Sequence, residues 1–161
     1  KEINNAMKIF THNGIKKKEI TILQCNSSYP TPLDDVNLNI LKEYKKRFKV
    51  KIGYSDHTEG LDSSLAAVSL GASVIEKHFT LNKKLKGPDH SSSLNPSEFK
   101  KLTYHIRNIE RCLGSKIKKI TKSEKENYQA VRKSIVACSI IEKGEKVVND
   151  PASLSDPLKY I

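Results

Sequence analysis

The chain has 161 residues, and its 29 lysines and arginines against 18 acidic residues leave a net charge of +11. That length fits one ordinary domain with a real core and excludes most two-domain enzymes. No apolar run approaches the roughly 18 residues of a membrane span and no signal-peptide succession opens the chain, so a cytoplasmic protein without a membrane partner is expected.

The basic excess lies on lysines such as Lys45, Lys46, Lys100 and Lys101 and in the run 116–125. Little arginine and few aromatics accompany it, which is the pattern of solvated helix faces and not of a nucleic-acid surface. Cys25, Cys112 and Cys138 are odd in number and form no CxxC pair. They are expected to be reduced, mostly structural thiols, with neither a disulfide framework nor a cysteine zinc site.

The opening segment KEINNAMKIFTHNG reads as a helix with Ala6, Ile9 and Phe10 near helical spacing, and Lys1 in place of Met points to chain upstream. Three short β-rich apolar runs follow, at 20–25 (ITILQC), 50–54 (VKIGY) and 72–79 (ASVIEKHF). Between the first two, Val36, Ile40, Leu41, Tyr44 and Phe48 fall on one helical face; between the second two, DSSLAAVSLG is small and apolar, with Gly71 placed to end a helix in a left-handed cap. Strand, helix, strand, helix, strand implies parallel crossovers and an α/β fold. A further helix is marked by Asn95 as cap, Pro96 in the first turn and Glu98 closing a capping box, and it runs to about Leu113, where Gly114 stops it. The polar stretch 115–130 reads as a linker, and from 131 to 161 a β-type module begins, with a turn at Lys143-Gly144-Glu145.

In parallel α/β folds substrates bind where strand carboxyl ends meet the following loops. The residues there are Asn26 to Pro32, Ser55 to Thr58, and His78 to Thr80 followed by Gly87 to His90. His57 and His78 close successive strands, so both imidazoles can reach one divalent ion of borderline hardness and leave sites for water and substrate oxygens. Ser55 precedes a loop entering a helix, where hydroxyls and free amides favour phosphate, though a plain cap serine sits equally well there. Asp89, in a Gly-Pro-bounded loop, suits a polyol and equally suits a turn. Glu76, two before His78, is expected on the same side of its strand and in a buried interior, and Lys77 on the opposite side in a structural role.

The strings SSYPTP, GYSDHT, GASVIEKHFT, GPDHSSSLNPSEF and RKSIVA followed by IEKGE, in this order, resemble the sialic acid synthase family, including the legionaminic and pseudaminic acid synthases. The resemblance implies the last three βα units of a (β/α)8 barrel over 1–114, a linker over 115–130, and over 131–161 the start of a small antifreeze-like (SAF) domain, from which NDPASLSDPLKYI departs. It implies condensation of phosphoenolpyruvate with an N-acetylated amino sugar such as N-acetylmannosamine, giving a nonulosonic acid and phosphate. His57 and His78 then hold a divalent metal, Mn2+ or Mg2+; Ser27, Tyr29 and Ser55 match positions that bind phosphoenolpyruvate, and Asp89 and Glu76 positions that face the sugar. A homodimer is implied for the complete enzyme. With the earlier strands lacking, an incomplete fragment with little activity of its own is expected, the alternative being a non-catalytic sugar-binding or vestigial fragment.

Overall fold

The computed structural model describes residues 1–132 and 140–144. The chain divides into two units, Lys1–Lys116 and Ile117–Ile161. The first unit contains α1 (Glu2–His12), β1 (Thr21–Cys25), α2 (Ile40–Phe48), β2 (Lys51–Asp56), α3 (Asp62–Ser69), β3 (Val74–Lys77) and α4 (Pro96–Leu113). The three strands form one parallel sheet in the order β1-β2-β3, with Ile22 opposite Ile52, Cys25 opposite Ser55, and Ser55 opposite Glu76.

Strand alternation gives this sheet two unlike faces. Ile52 and Tyr54 meet Val36, Leu41 and Ala67 in a core under α2 and α3, where Leu41 is fully buried. Burying a side chain of that size contributes roughly 1.5–3 kcal/mol. A second cluster of Met7, Ile20, Phe48 and Val50 seats α1 at the start of the strands. The helix expected here forms; the face it buries is that of Met7 and Ile3, while Ala6, Ile9 and Phe10, about a quarter turn away, are exposed.

Local chemistry sets the helix ends. Asn95 accepts from the Glu98 backbone N–H at 3.0 Å and Glu98 reaches back to the Asn95 N–H at 2.9 Å, so the capping box forms as expected. Gly71 takes φ +96° just past α3, the left-handed position expected of it. Lys45, Lys46, Lys100 and Lys101 are exposed.

The second unit contains α5 (Lys122–Lys125) and α6 (Tyr128–Val131), single turns within the stretch expected to be a linker. Thr121 and Glu124 form a capping box there, a local signal strong enough to start a turn in a polar segment. Of the β-type module expected over 131–161, residues 133–139 and 145–161, Cys138 included, lie outside the described residues; Lys143 and Gly144 form a turn, with Gly144 at φ +92°. Cys25 and Cys112 are free and exposed, so neither is the packed thiol expected. No described helix is long and apolar enough to cross a membrane.

Candidate functional site

The residues that close β2 and β3 carry the site. His57 follows the last residue of β2 and His78 the last of β3, and their rings lie 5.1 Å apart, centroid to centroid, at 70°. The loop after β1 brings Tyr29 against both: its ring stacks on His78 at 4.3 Å and meets the edge of His57 at 5.3 Å. Main-chain bonds fix these loops to the strand ends. Thr31 N–H donates to the His57 carbonyl at 2.9 Å, and Leu94 N–H to that of His78 at 2.9 Å.

His57 Nδ1 lies 2.7 Å from the Asn26 carbonyl oxygen, which can only accept. Nδ1 therefore carries the proton in the neutral ring and Nε2 presents a free lone pair, the form a metal requires. His78 Nδ1 lies 3.6 Å from Asp89 Oδ2, with the two side chains 37% and 50% exposed, open to solvent and ligand alike. The pair thus fits a divalent ion through two imidazole nitrogens. Among the described residues no three His, Cys, Asp or Glu side chains converge, so the other ligands to such an ion would be water or substrate.

Asp89 belongs to the loop that, with His78, Phe79, Gly87, Pro88, His90 and Ser93, lines a cavity of about 260 Å3. The Tyr29 hydroxyl donates to the Asp89 carbonyl at 3.3 Å and lies 3.3 Å from Ser93 Oγ, and burial raises the phenol above its ordinary value. His90 Nδ1 bonds Thr80 Oγ1 at 2.7 Å, tying the loop to the end of β3.

Ser55 and Glu76 stand two residues before the histidines on the same face, joined by a 2.6 Å bond from Ser55 Oγ to Glu76 Oε1. Ser55 is buried, but Glu76 is exposed, a correction to its expected place in a buried interior. The expectation rested on a covered sheet face, and the described residues leave this face open over Glu76. The Ser55 proton is committed to that carboxylate. Ser27 is exposed on its loop and makes no hydrogen bond among the described residues. The site residues therefore fall into a rim group of Tyr29, His57, His78 and Asp89, a pair of Ser55 and Glu76 two residues back along the strands, and Ser27 apart. Tyr29 groups with Asp89, not with Ser55.

Lys77 does point away from the histidines, as alternation requires, and what it meets there could not be read from sequence. Its Nζ lies 3.0 Å from Asp56 Oδ2, with the two side chains 1% and 0% exposed, and donates to the Thr58 carbonyl at 2.5 Å. Asp56 also accepts from Thr58 N–H and Thr58 Oγ1, each at 2.8 Å, from Ser63 Oγ at 2.8 Å, and from Ser64 Oγ. Burial alone would raise the Asp56 carboxyl, but the Ser64 hydroxyl, the Lys77 charge and the Thr58 amide outweigh it and hold the carboxyl below its usual value. Burial lowers the Lys77 amine against the pull of Asp56. The one signal in the sequence was an aspartate in phase with Ile52 and Tyr54, the helix-facing side of β2.

The chain belongs to the NeuB family, whose sequence profile its residues 1–118 match. It is 51% identical over 144 residues to the N,N'-diacetyllegionaminic acid synthase of Campylobacter jejuni, covering 89% of this chain and 43% of that protein. Human N-acetylneuraminate-9-phosphate synthase is 45% identical over 129 residues, 80% of this chain and 36% of the human one. Among solved structures, an N-acetylneuraminic acid synthetase from Leptospira borgpetersenii, crystallised with citrate, superposes with a TM-score of 0.70 at 36% identity, over 80% of this chain and 44% of that one. The chain spans less than half the length of the curated relatives it matches.

Proposed function

We propose that this chain supplies the metal-binding and part of the substrate-binding rim of a nonulosonic acid synthase, an enzyme that condenses phosphoenolpyruvate with an N-acetylated amino sugar such as N-acetylmannosamine and releases phosphate. On this reading β1 to β3 are the last three strands of a (β/α)8 barrel, residues from 131 onward begin an antifreeze-like domain, and the complete enzyme is a cytoplasmic homodimer. The observation that carries the reading is the pair of imidazoles 5.1 Å apart at adjacent strand ends, with the His57 Nδ1 proton held by Asn26. Membership of the family supports it.

Nε2 of His57 and of His78 would hold Mn2+ or Mg2+, which when bound supplies Lewis acidity toward the aldehyde oxygen of the open-chain sugar. The protein's own part is to hold the two reactants in line, so that the methylene carbon of phosphoenolpyruvate meets the aldehyde carbon. Asp89, half exposed beside His78, accepts hydrogen bonds from sugar hydroxyls. Tyr29 packs over His78 and shields that side from water, and its hydroxyl braces the loop that carries Asp89. Ser55 can donate to phosphoenolpyruvate once it exchanges Glu76 for that ligand, which frees the Glu76 carboxylate to face the sugar.

The test is steady-state release of phosphate by the full-length protein that carries this chain, with phosphoenolpyruvate and N-acetylmannosamine or its relatives, across a Mn2+ titration. His57→Ala and His78→Ala should each abolish metal-dependent release. Ser55→Ala should raise KM for phosphoenolpyruvate by about tenfold or more, since a hydrogen bond to a charged group contributes roughly 1.5–3 kcal/mol, and Asp89→Ala should act on the sugar constants. Undiminished release by either histidine variant would refute the metal assignment.

A further inference from the structure

The residues immediately before the two histidines form a buried ion pair. Asp56 precedes His57 and Lys77 precedes His78, and the two are register partners on β2 and β3. The Lys77 amine touches Asp56 on one side of His57 and the Thr58 carbonyl on the other, at 3.0 and 2.5 Å. One ammonium on the strand that ends in His78 thereby brackets the backbone of His57. Around it every acceptor is used: Asp56 takes hydroxyls from Thr58, Ser63 and Ser64, and no buried side-chain polar atom among the described residues is without a partner.

We infer that the Asp56–Lys77 pair positions the two metal-binding histidines, setting the spacing of their imidazoles from the helix-facing side of the sheet. This rests on the metal reading proposed above. A buried ion pair is a poor device for stability, because desolvating both charges offsets most of their attraction, and well-packed neutral replacements are often neutral or stabilising. It is a good device for geometry, since a saturated set of hydrogen bonds admits one arrangement of the strand ends. Alternation then transmits that arrangement through one peptide unit to each imidazole on the other face. Lys77 and Asp56 lie on the helix-facing side of the sheet, opposite the histidines, so theirs is a positioning role.

The experiment is a Mn2+ titration of the full-length protein followed by loss of the free-ion EPR signal, with thermal unfolding measured in parallel and no substrate present. The double variant Asp56→Asn/Lys77→Met removes both charges together, keeps side chains of similar size and leaves the serines and the Thr58 hydroxyl a partner, while the Thr58 carbonyl loses the Lys77 amine. It should still unfold cooperatively, at a somewhat lower temperature because the Thr58 carbonyl loses its donor, yet bind Mn2+ about tenfold or more weakly, the range in which outer supports of metal histidines act. Lys77→Arg keeps the charge but not the compact bracket, and should also weaken Mn2+ in a protein that still unfolds cooperatively, at a lower temperature because the buried site is overpacked. Wild-type Mn2+ affinity in either folded variant overturns the inference while leaving the metal reading intact. If neither variant folds, the pair serves folding and the positioning role is likewise overturned. Absence of Mn2+ binding by the unaltered protein, or its survival in His57→Ala and His78→Ala, removes the metal reading and this inference with it.

Discussion

Gly53 sits in mid-strand β2 opposite Val74, and the space over it is already taken. A Cβ built there would lie 2.7 Å from the Val74 carbonyl oxygen, 3.0 Å from Val74 Cβ and 3.1 Å from Leu23 Cγ, where ordinary contact begins at 3.4 Å. The nearest obstacle is backbone, so Gly53→Ala must push β2 and β3 apart rather than turn a side chain. Overpacking of this kind costs typically 1–3 kcal/mol; about 2 kcal/mol would lower a urea midpoint by about 1 M at a slope of about 2 kcal/mol per M. The site should feel it too, because Ser55 and His57 lie two and four residues further along the same face. Gly60 supplies the contrast: a Cβ there meets nothing within 4 Å, but φ is +78°. Gly60→Ala should cost about 1–2 kcal/mol through backbone conformation alone, and Gly60→Asn less, since asparagine tolerates that region. Gly53→Asn should be worse than Gly53→Ala. Urea unfolding of all four variants in the full-length protein decides the matter, and an unchanged midpoint for Gly53→Ala would refute the close approach of the strands.

Two further outcomes follow from the same geometry. Asp56 has a folded-state pKa below its unfolded one, so its contribution to stability is complete above the ordinary carboxylate value, about 4, and is lost as pH falls through the lower folded value. Asp56→Asn should flatten the acid limb of stability against pH in urea unfolding. An unaltered limb would mean that other carboxylates carry it. Tyr29→Phe keeps the ring on His78 and loses only the hydroxyl's bonds to Asp89 and Ser93, a loss of about 0.5–1.5 kcal/mol, whereas Tyr29→Ala also removes the stacking and should cost more; equal midpoints would rule out a contribution from the ring contact.

What could be read in the sequence was what local chemistry decides. The strands at 21–25, 51–56 and 74–77, the Asn95-Glu98 box and the Gly71 cap each depend on a few adjacent residues, and each formed where expected, with strand ends moved by one or two residues. The same alternation rule separated Lys77 from His78. It failed for Glu76, because side-chain direction is local whereas burial depends on what lies over the sheet. The buried face of α1 was out of reach for the same reason: Ile9 and Phe10 are as apolar as Met7, and the residues that Met7 packs against lie far off in sequence. The Asp56–Lys77 pair was out of reach because its members are 21 residues apart and become neighbours only through register. The single turn of α5 was within reach, since Thr121 and Glu124 show the same box as Asn95 and Glu98.

A strand with two unlike faces can change on one without rewriting the other. In β3, Glu76 and His78 project to the open side while Ile75 and Lys77 project toward the helices. The loop beyond it is pinned at Leu94 and, through the Thr80–His90 bond, at His90, whereas Leu81, Lys84, Leu85 and Lys86 between Thr80 and His90 are exposed. Side chains at those positions project into solvent. New side chains can be tried there, in the same loop that further on lines the cavity beside His78, while the buried lattice beneath keeps its shape. A lineage can in this way diversify what it meets at the rim and inherit the rest unchanged.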